Sequence, residues 1–439
     1  MVVDALWAPQ RDAEPAEPVW NLCGGFESLG ILAILGHLHT STPPTTDTKF
    51  YNPSSPFTRA ETRKEGTSMN FSCEKALLLS AVNTAGRAVA AKSSIPALEG
   101  ILLEAQGSRL TMTGYNLETG LRTTVEADIR EGGSLVVSAR LFGDIIRNLP
   151  DDVVNFSTDG VTINIKCGMS DFHIMGTDPR EFPELPVVED GNGFFITQSK
   201  LKSMIAQTIF AVSDNESRPI HTGSLFEVES GVLTVVSVDG YRLALRRETL
   251  ESVCGANGFS FVVPGAALKE VEKICSDCDE QVSITQGQRH VMFQIGDTIL
   301  ISRRLEGEFL NYKQTIPREN AIQVEGNTKT LQTSIDRVSL IISDKLKSPL
   351  RCRFGDNTLS ITTKTAIGDA FDSCEIQGDG KNLEIGFNNR YLMDAIKAAP
   401  ADTVRLELNT STSPCLILPP DGGDQFLYMV LPVRLKAGE

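Results

Sequence analysis

From Met69 onward the chain repeats one plan three times at a period of about 120 residues, and that period constrains the fold more than any other feature. Solenoid units of roughly 20–45 residues cannot bury a core alone, whereas copies this long can, so each copy is a domain. One recurring unit is an apolar strand running straight into an amphipathic helix. Its copies are Leu135-Val136-Val137 with Ala139 to Leu149, Phe261-Val262-Val263 with Gly265 to Ile274, and Leu383-Glu384-Ile385 with Phe387 to Ala398. A second unit is a pair of strands alternating apolar and polar residues. It pairs Leu110-Thr111-Met112 with Leu121-Arg122-Thr123, Leu233-Thr234-Val235 with Leu243-Ala244-Leu245, and Leu359-Ser360-Ile361 with Ala370-Phe371-Asp372. A further helix is expected before each pair, from Lys75 to Ala90, Lys200 to Val212 and Thr330 to Ile342.

Two helices and many short strands per copy make an α+β domain, with the helices covering one face of antiparallel sheet. The joints fall near Pro183–Asp190 and Pro317–Asn320, which gives domains at 69–187, 188–318 and 319–435 and a tail at 436–439. Residues 1–68 read differently. Pro9, Pro15, Pro18, Pro43, Pro44, Pro53 and Pro56 lie among Ser/Thr-rich runs, a composition that predicts disorder. Their one apolar stretch, Gly30 to Leu38, is too short to span a bilayer and follows acidic residues rather than the basic ones of a secretory signal. Met69-Asn70-Phe71 reads as a natural start, so the leader is taken as an upstream extension.

A formal charge of −15 argues against a nucleic-acid partner until the positive residues are located. Segments 74–91, 138–148, 198–212, 264–277, 328–344 and 388–399 carry +1, +1, +2, −1, 0 and +1. The helices are thus net positive within an acidic chain. If they line a cavity, that cavity holds an anionic polymer while the outside stays acidic.

Chemistry is harder to find. There is no Walker loop, dinucleotide fingerprint, HExxH or GxSxG. His173, His221 and His290 lack a fixed acidic partner, and Cys275 and Cys278 form a lone CxxC short of the four ligands of a structural zinc site. Nine scattered cysteines fit reduced thiols in the cytoplasm. No catalytic residue, metal or cofactor is expected. Three readings remain: a platform that surrounds DNA, an enzyme of unknown type on a β-rich repeat scaffold, and a cell-surface or structural repeat protein. Missing catalytic signatures weigh against the second, and the missing secretory signal against the third.

Several short motifs occur in order along the triplicated chain. They are Gly176-Thr177-Asp178 with Glu181-Phe182-Pro183, Val238-Asp239-Gly240-Tyr241-Arg242-Leu243, Glu306-Gly307-Glu308-Phe309 with Tyr312, and Leu431-Pro432-Val433-Arg434-Leu435. On these residues Met69 to Leu435 resembles the bacterial replicative sliding clamp, the beta subunit of DNA polymerase III. The resemblance implies a head-to-tail homodimer, a ring of six domains whose helices line the hole. It implies a non-catalytic processivity factor, cytoplasmic and nucleoid-associated. Such a ring encircles double-stranded DNA without reading its sequence and tethers the polymerase III catalytic subunit, the clamp loader and other proteins with a clamp-binding motif.

By matching position, the implied DNA contacts are Lys92, Arg140 and Arg147, with Arg87, Lys200 and Lys202. The implied dimer seam sets Phe172 and Ile174 of one subunit against Ile341 and Ile342 of the other. The implied groove for partner peptides comprises His221, Val238, Gly240, Tyr241, Arg242, Leu243, Leu310, Gln314, Thr315, Met429, Leu431, Pro432, Val433 and Arg434. In it Gly240 admits close backbone approach and Arg242 offers a fixed fork to a carbonyl or carboxylate. This sequence departs from the family at His221, where an apolar residue is common, and in the tail after Leu435, which lies beside the groove.

Overall fold

The computed structural model describes residues 68–188, 191–256, 258–343 and 348–435. The expectations for the leader up to residue 67 and for the tail from 436 lie outside them.

The first copy runs β1 (Asn70–Glu74), α1 (Lys75–Gly86), β2 (Gly100–Gln106), β3 (Arg109–Tyr115), β4 (Thr119–Glu126), β5 (Asp128–Glu131), β6 (Gly133–Ser138), α2 (Ala139–Asn148), β7 (Val153–Asp159), β8 (Thr162–Cys167) and β9 (Ser170–Met175). The second repeats that order with β10 (Asn192–Thr197), α3 (Gln198–Ala206), β11 (Gly223–Glu229), β12 (Val232–Val238), β13 (Arg242–Thr249), β14 (Ser252–Cys254), β15 (Gly258–Pro264), α4 (Gly265–Ile274), β16 (Gln281–Gln286), β17 (His290–Ile295) and β18 (Thr298–Arg303). A short turn of helix, α5 (Tyr312–Thr315), leads into the third copy. That copy comprises β19 (Ile322–Asn327), α6 (Thr328–Ser339), β20 (Leu350–Thr365), β21 (Gly368–Phe387), α7 (Asn389–Ala398), β22 (Thr403–Leu408), β23 (Cys415–Leu418) and β24 (Phe426–Val430).

In the third copy the short strands run together. β20 turns at Asn357, whose φ is +52°, and β21 turns at Lys381 and Asn382, with φ of +53° and +54°. The ladders match the first copy all the same. Leu350 to Phe354 face Phe387 to Leu383 as β2 faces β6, and Thr358 to Thr365 face Glu375 to Gly368 as β3 faces β4.

Each copy pairs its two helices, α1 with α2, α3 with α4 and α6 with α7, over a core drawn mainly from that copy; Ala88 and Leu121 join the second core, and Ala211 and Ala244 the third. On α2 the buried residues are Phe142, Gly143, Ile145 and Ile146, one stripe at helical spacing, while Arg140, Asp144 and Arg147 face out. The first helices end earlier than their apolar pattern suggests. After α3, the Thr208 hydroxyl donates to the Met204 carbonyl at 2.8 Å and the chain tightens into a 3₁₀ turn at Ile209–Ala211. α6 starts two residues early because the Asn327 side chain caps it, accepting from the Thr330 amide at 3.0 Å.

Antiparallel sheet crosses both joints between copies. β18 pairs with β4 from Thr298 opposite Thr123 to Ser302 opposite Thr119. β13 pairs with β24 from Arg242 opposite Val430 to Arg246 opposite Phe426. The resulting sheets have nine and ten strands, and the five-stranded sheet β5-β1-β7-β8-β9 stays within the first copy.

Candidate partner groove and nucleic-acid interface

At the second joint the sequence-predicted groove residues converge. Val238, Leu243 and Met429 are buried in one apolar cluster with Leu225, Val236, Leu245, Val262, Tyr312 and Leu416, and Leu310 packs against it. β13 and β24 bring Leu243 opposite Met429. The turn between β12 and β13 is shaped by Asp239, whose carboxylate accepts from the Tyr241 and Arg242 amides at 2.8 and 3.0 Å. Gly240 takes φ +90° there, and nothing lies within 4 Å of where its Cβ would sit. Within the chain, the need for glycine at this turn is therefore conformational. Beyond β24 the Leu431 amide donates to the Tyr241 carbonyl at 2.9 Å, and Val433 bridges to Gly386. A Cβ on Gly386 would come within 2.5 Å of the Val433 carbonyl oxygen, so this glycine lets Pro432, Val433 and Arg434 lie flat against the third copy.

Arg242 is held from inside. Its side chain is 7% exposed, with Nε 2.9 Å from Asp239 Oδ2 and Nη1 2.6 Å from Asp394 Oδ2 on α7. Its guanidinium also sits over the Tyr391 ring at 4.5 Å, and Tyr391 stacks on the half-exposed Tyr241 at 5.9 Å. Two donors of the expected fork are thus committed to internal carboxylates, and the residue ties β13 to α7. Thr315 donates its hydroxyl to the Tyr312 carbonyl at 2.9 Å, while Gln314 and Arg434 are exposed. The Tyr312 hydroxyl in turn donates to Glu227 at 2.6 Å, and burial, with Glu227 second, pushes its phenol well above the usual range.

His221 closes the second-copy side of the cluster. It lies in the 3₁₀ turn Pro219–Thr222 and meets the Phe309 ring edge-on at 5.6 Å. Burial, with Arg218 second, holds its imidazole below the ordinary histidine value.

The helix cations divide sharply. Arg87 pairs with Glu270 at 3.3 Å, Arg147 with Asp144 at 2.9 Å and Lys202 with Asp277 at 2.8 Å. The Asp277 contact raises the Lys202 ammonium above its ordinary value. Lys92, Arg140, Lys200, Lys269, Lys329 and Lys397 are exposed and have no ion-pair partner among the described residues. These six fall one to a helix on α2, α3, α4, α6 and α7, with Lys92 just past α1.

Two of the sheet edges expose apolar side chains. Among the described residues β9 pairs only with β8, and it presents Phe172 at 38% and Met175 at 66% exposure while Ile174 packs on the first core. In the third copy Gly368 to Glu375 pair, among the described residues, only with β20, because β19 meets β21 at Ile376 and Gln377. Phe371 on that edge is 69% exposed. Ile341 and Ile342 follow the end of α6, both half-buried, and Ile342 packs on the third core.

Models of the DNA polymerase III beta subunit match in chain order, the N-terminal domain at 69–186, the central domain at 195–311 and the C-terminal domain at 313–434. The chain belongs to the DNA polymerase III beta subunit family. Curated relatives agree. The beta sliding clamp of Halalkalibacterium halodurans is 31% identical over 379 residues, 83% of this chain and all of that one. That of Staphylococcus aureus is 31% identical over 377 residues, covering 83% of this chain and 99% of its own. Among solved structures, the Bacillus subtilis DNA polymerase sliding clamp superposes with a TM-score of 0.80 at 29% identity, covering 84% of this chain and 100% of the other. The Thermotoga maritima DNA polymerase III beta subunit gives 0.77 at 29% over the same shares.

As a DNA polymerase III beta subunit the chain is a non-catalytic component of replication. No helix among the described residues is long and apolar enough to cross a membrane. Sequence reasoning missed several neighbours of the groove, notably Ile220, Leu305, Phe309, Leu418 and Tyr391. The sequence-based set of cations also leaves out Lys269, Lys329 and Lys397, which are exposed and without an ion-pair partner among the described residues. Segment charge hid Lys269, because Glu270 and Glu272 cancel it in a count; in the structure Glu270 is engaged by Arg87 and Lys273.

Proposed function

We propose that the chain is a DNA sliding clamp whose groove at the second joint tethers the replicative polymerase. Family membership fixes the broad role: two three-domain subunits form a head-to-tail ring around duplex DNA and hold DNA polymerase III to its template. Domain limits of 69–187, 188–318 and 319–435 suit this reading, as does work in the cytoplasm on nucleoid DNA.

For the lumen, the carrying observation is the single exposed, unpaired cation that accompanies each of six helices. One cation per helix, repeated by the dimer, spreads weak phosphate contacts around the hole and fixes no register on the bases. Lys92, Arg140 and Lys200 head this set, joined by Lys269, Lys329 and Lys397. Arg87, Arg147 and Lys202 contribute less, since each must leave a carboxylate first. For the seam, internal repetition supports pairing β9 of one subunit with Gly368 to Glu375 of the other. β9 is the counterpart of β18 and β24, and Gly368 to Glu375 is the counterpart of β4 and β13, which are the partners at the two internal joints. Phe172 and Ile174 then approach Ile341, Ile342 and Phe371. For the groove, His221, Val238, Leu243, Leu310 and Met429 take the apolar side chains of a partner peptide. Gly240, Tyr241, Arg242, Gln314, Thr315, Leu431, Pro432, Val433 and Arg434 form its turn and rim.

Loading the full chain onto nicked circular DNA with the clamp loader tests this role. The protein is expected to stay on the circle after loader removal and to run off once the circle is linearised. Equal retention on both forms would refute topological binding.

A further inference from the structure

His221 stands out in the groove region because its environment is incomplete. The side chain is 9% exposed, yet neither ring nitrogen has a hydrogen-bond partner among the described residues. Its neighbours are largely apolar: Phe309 touches the ring, and Ile220 belongs to the adjoining cluster. Gly307 has Ile220 3.8 Å from where its Cβ would sit, so the Phe309 loop closes over this turn. The ring nitrogens are not among the fully buried unpartnered atoms, so they keep a narrow contact with solvent through which an acceptor on a docked chain can replace water.

The surrounding charges indicate what that is. From its own turn, Arg218 is the charged group acting on His221. On β11, Glu227 and Glu229 are both engaged by Lys313. On the Phe309 loop, Glu306 and Glu308 are exposed and do not figure among the influences on the imidazole. Asp214 and Glu216, exposed on the same loop as Arg218, likewise do not figure among those influences, so among the described residues the wall combines a guanidinium with a protonatable ring and no carboxylate acting on it. Its chemical complement is an acid.

Resting on the groove assignment above, we propose that His221 is a specificity determinant: its imidazole donates a hydrogen bond to a carboxylate on the docked peptide, beside the apolar side chains that fill the cluster. A neutral imidazole makes that bond with one N–H, and an imidazolium makes it as a charge-assisted contact. Docking an acid therefore raises the histidine pKa from its depressed free value and takes up a proton. Affinity for an acidic peptide rises as pH falls toward that free value, provided the peptide acid stays ionised. A peptide with an amide in place of the acid gains nothing.

The test is fluorescence anisotropy with the full chain and two labelled synthetic peptides. Each carries leucine and phenylalanine anchors, with aspartate or asparagine beside them. Wild type is expected to favour the aspartate peptide about fivefold or more at pH 5.5, and by less at pH 8. In His221→Leu the ratio of the two affinities should fall to about one at both pH values, whatever the absolute affinity of either peptide. His221→Gln should keep part of the preference without the pH dependence. An unchanged aspartate-to-asparagine ratio in His221→Leu overturns the proposal while leaving the groove intact. If neither peptide binds wild type, the groove assignment fails and the proposal with it.

Discussion

Replacing Arg242 with alanine probes the contact that joins the second copy to the third. The arginine side chain is 7% exposed, and its carboxylate partners Asp239 and Asp394 are 11% and 30% exposed. Breaking a buried pair from one side costs about 3–5 kcal/mol, because the remaining charge stays desolvated. Asp394 keeps some water and has Arg390 at 4.0 Å, which places Arg242→Ala near the lower end, at about 3 kcal/mol. Losing the stack over Tyr391 adds up to about 1 kcal/mol. Asp394→Asn should cost less, about 1–2 kcal/mol, since Asp239 still neutralises the guanidinium. Because the two residues share one interaction, their effects should not add, and a double-mutant cycle should return a coupling of about 1.5 kcal/mol. Urea unfolding followed by circular dichroism gives all four values. A cost under about 1 kcal/mol for Arg242→Ala, or coupling below about 0.5 kcal/mol, would refute the claim that this cation holds the joint.

Three further outcomes are expected. Phe371→Asp places a charge on the open third-copy edge and should convert the dimer to a folded monomer in sedimentation velocity; a persistent dimer moves the seam elsewhere. Removing Lys92, Arg140 and Lys200 together should flatten the salt dependence of DNA binding by about 0.9 per cation that contacts phosphate, with Arg147→Ala and Lys202→Ala each doing less; equal slopes for both sets discredit the division into free and paired cations. His221 and His290 both sit below the ordinary histidine value, chiefly through burial. Their contribution to stability is full above the unfolded-state value and is lost as pH falls through the folded-state values. His221→Leu should therefore lose less thermal stability than wild type between pH 7 and pH 5, and parallel curves would argue against a buried neutral ring.

Much of the fold was legible because its signals are local and occur three times. The strand that runs into a helix at Val137, Val263 and Ile385 needs only period-two apolarity changing to helical spacing, and each instance corroborates the others. Helix ends were less legible, because they depend on side chains returning to the backbone, such as Asn327 at the start of α6 and Thr208 after α3. The merged strands β20 and β21 were hidden for a similar reason: Asn357, Lys381 and Asn382 turn the chain at positive φ while the pairing continues past them, and of the nearby glycines only Gly378 shares that conformation. In the candidate site, residues that the family resemblance implies from distant segments lie side by side where strand pairing joins them, as with Leu243 and Met429. Their individual roles were not legible. Whether Arg242 faces outward or inward depends on Asp394, 152 residues away in sequence, and no spacing rule links the two.

In the seam proposed above, β9 of one subunit meets Gly368 to Glu375 of the next, so every subunit carries one end of each kind. Such an unlike-to-unlike contact can propagate indefinitely, and it terminates only when the rotation accumulated from subunit to subunit returns the last free edge to the first. The β18–β4 and β13–β24 ladders, far from the edges themselves, contribute to that rotation together with the seam. Subunit number therefore depends on the internal joints as well as on the contact. A substitution that alters their bend should change the stoichiometry, toward larger closed assemblies or open filaments, while leaving the strength of each edge contact the same.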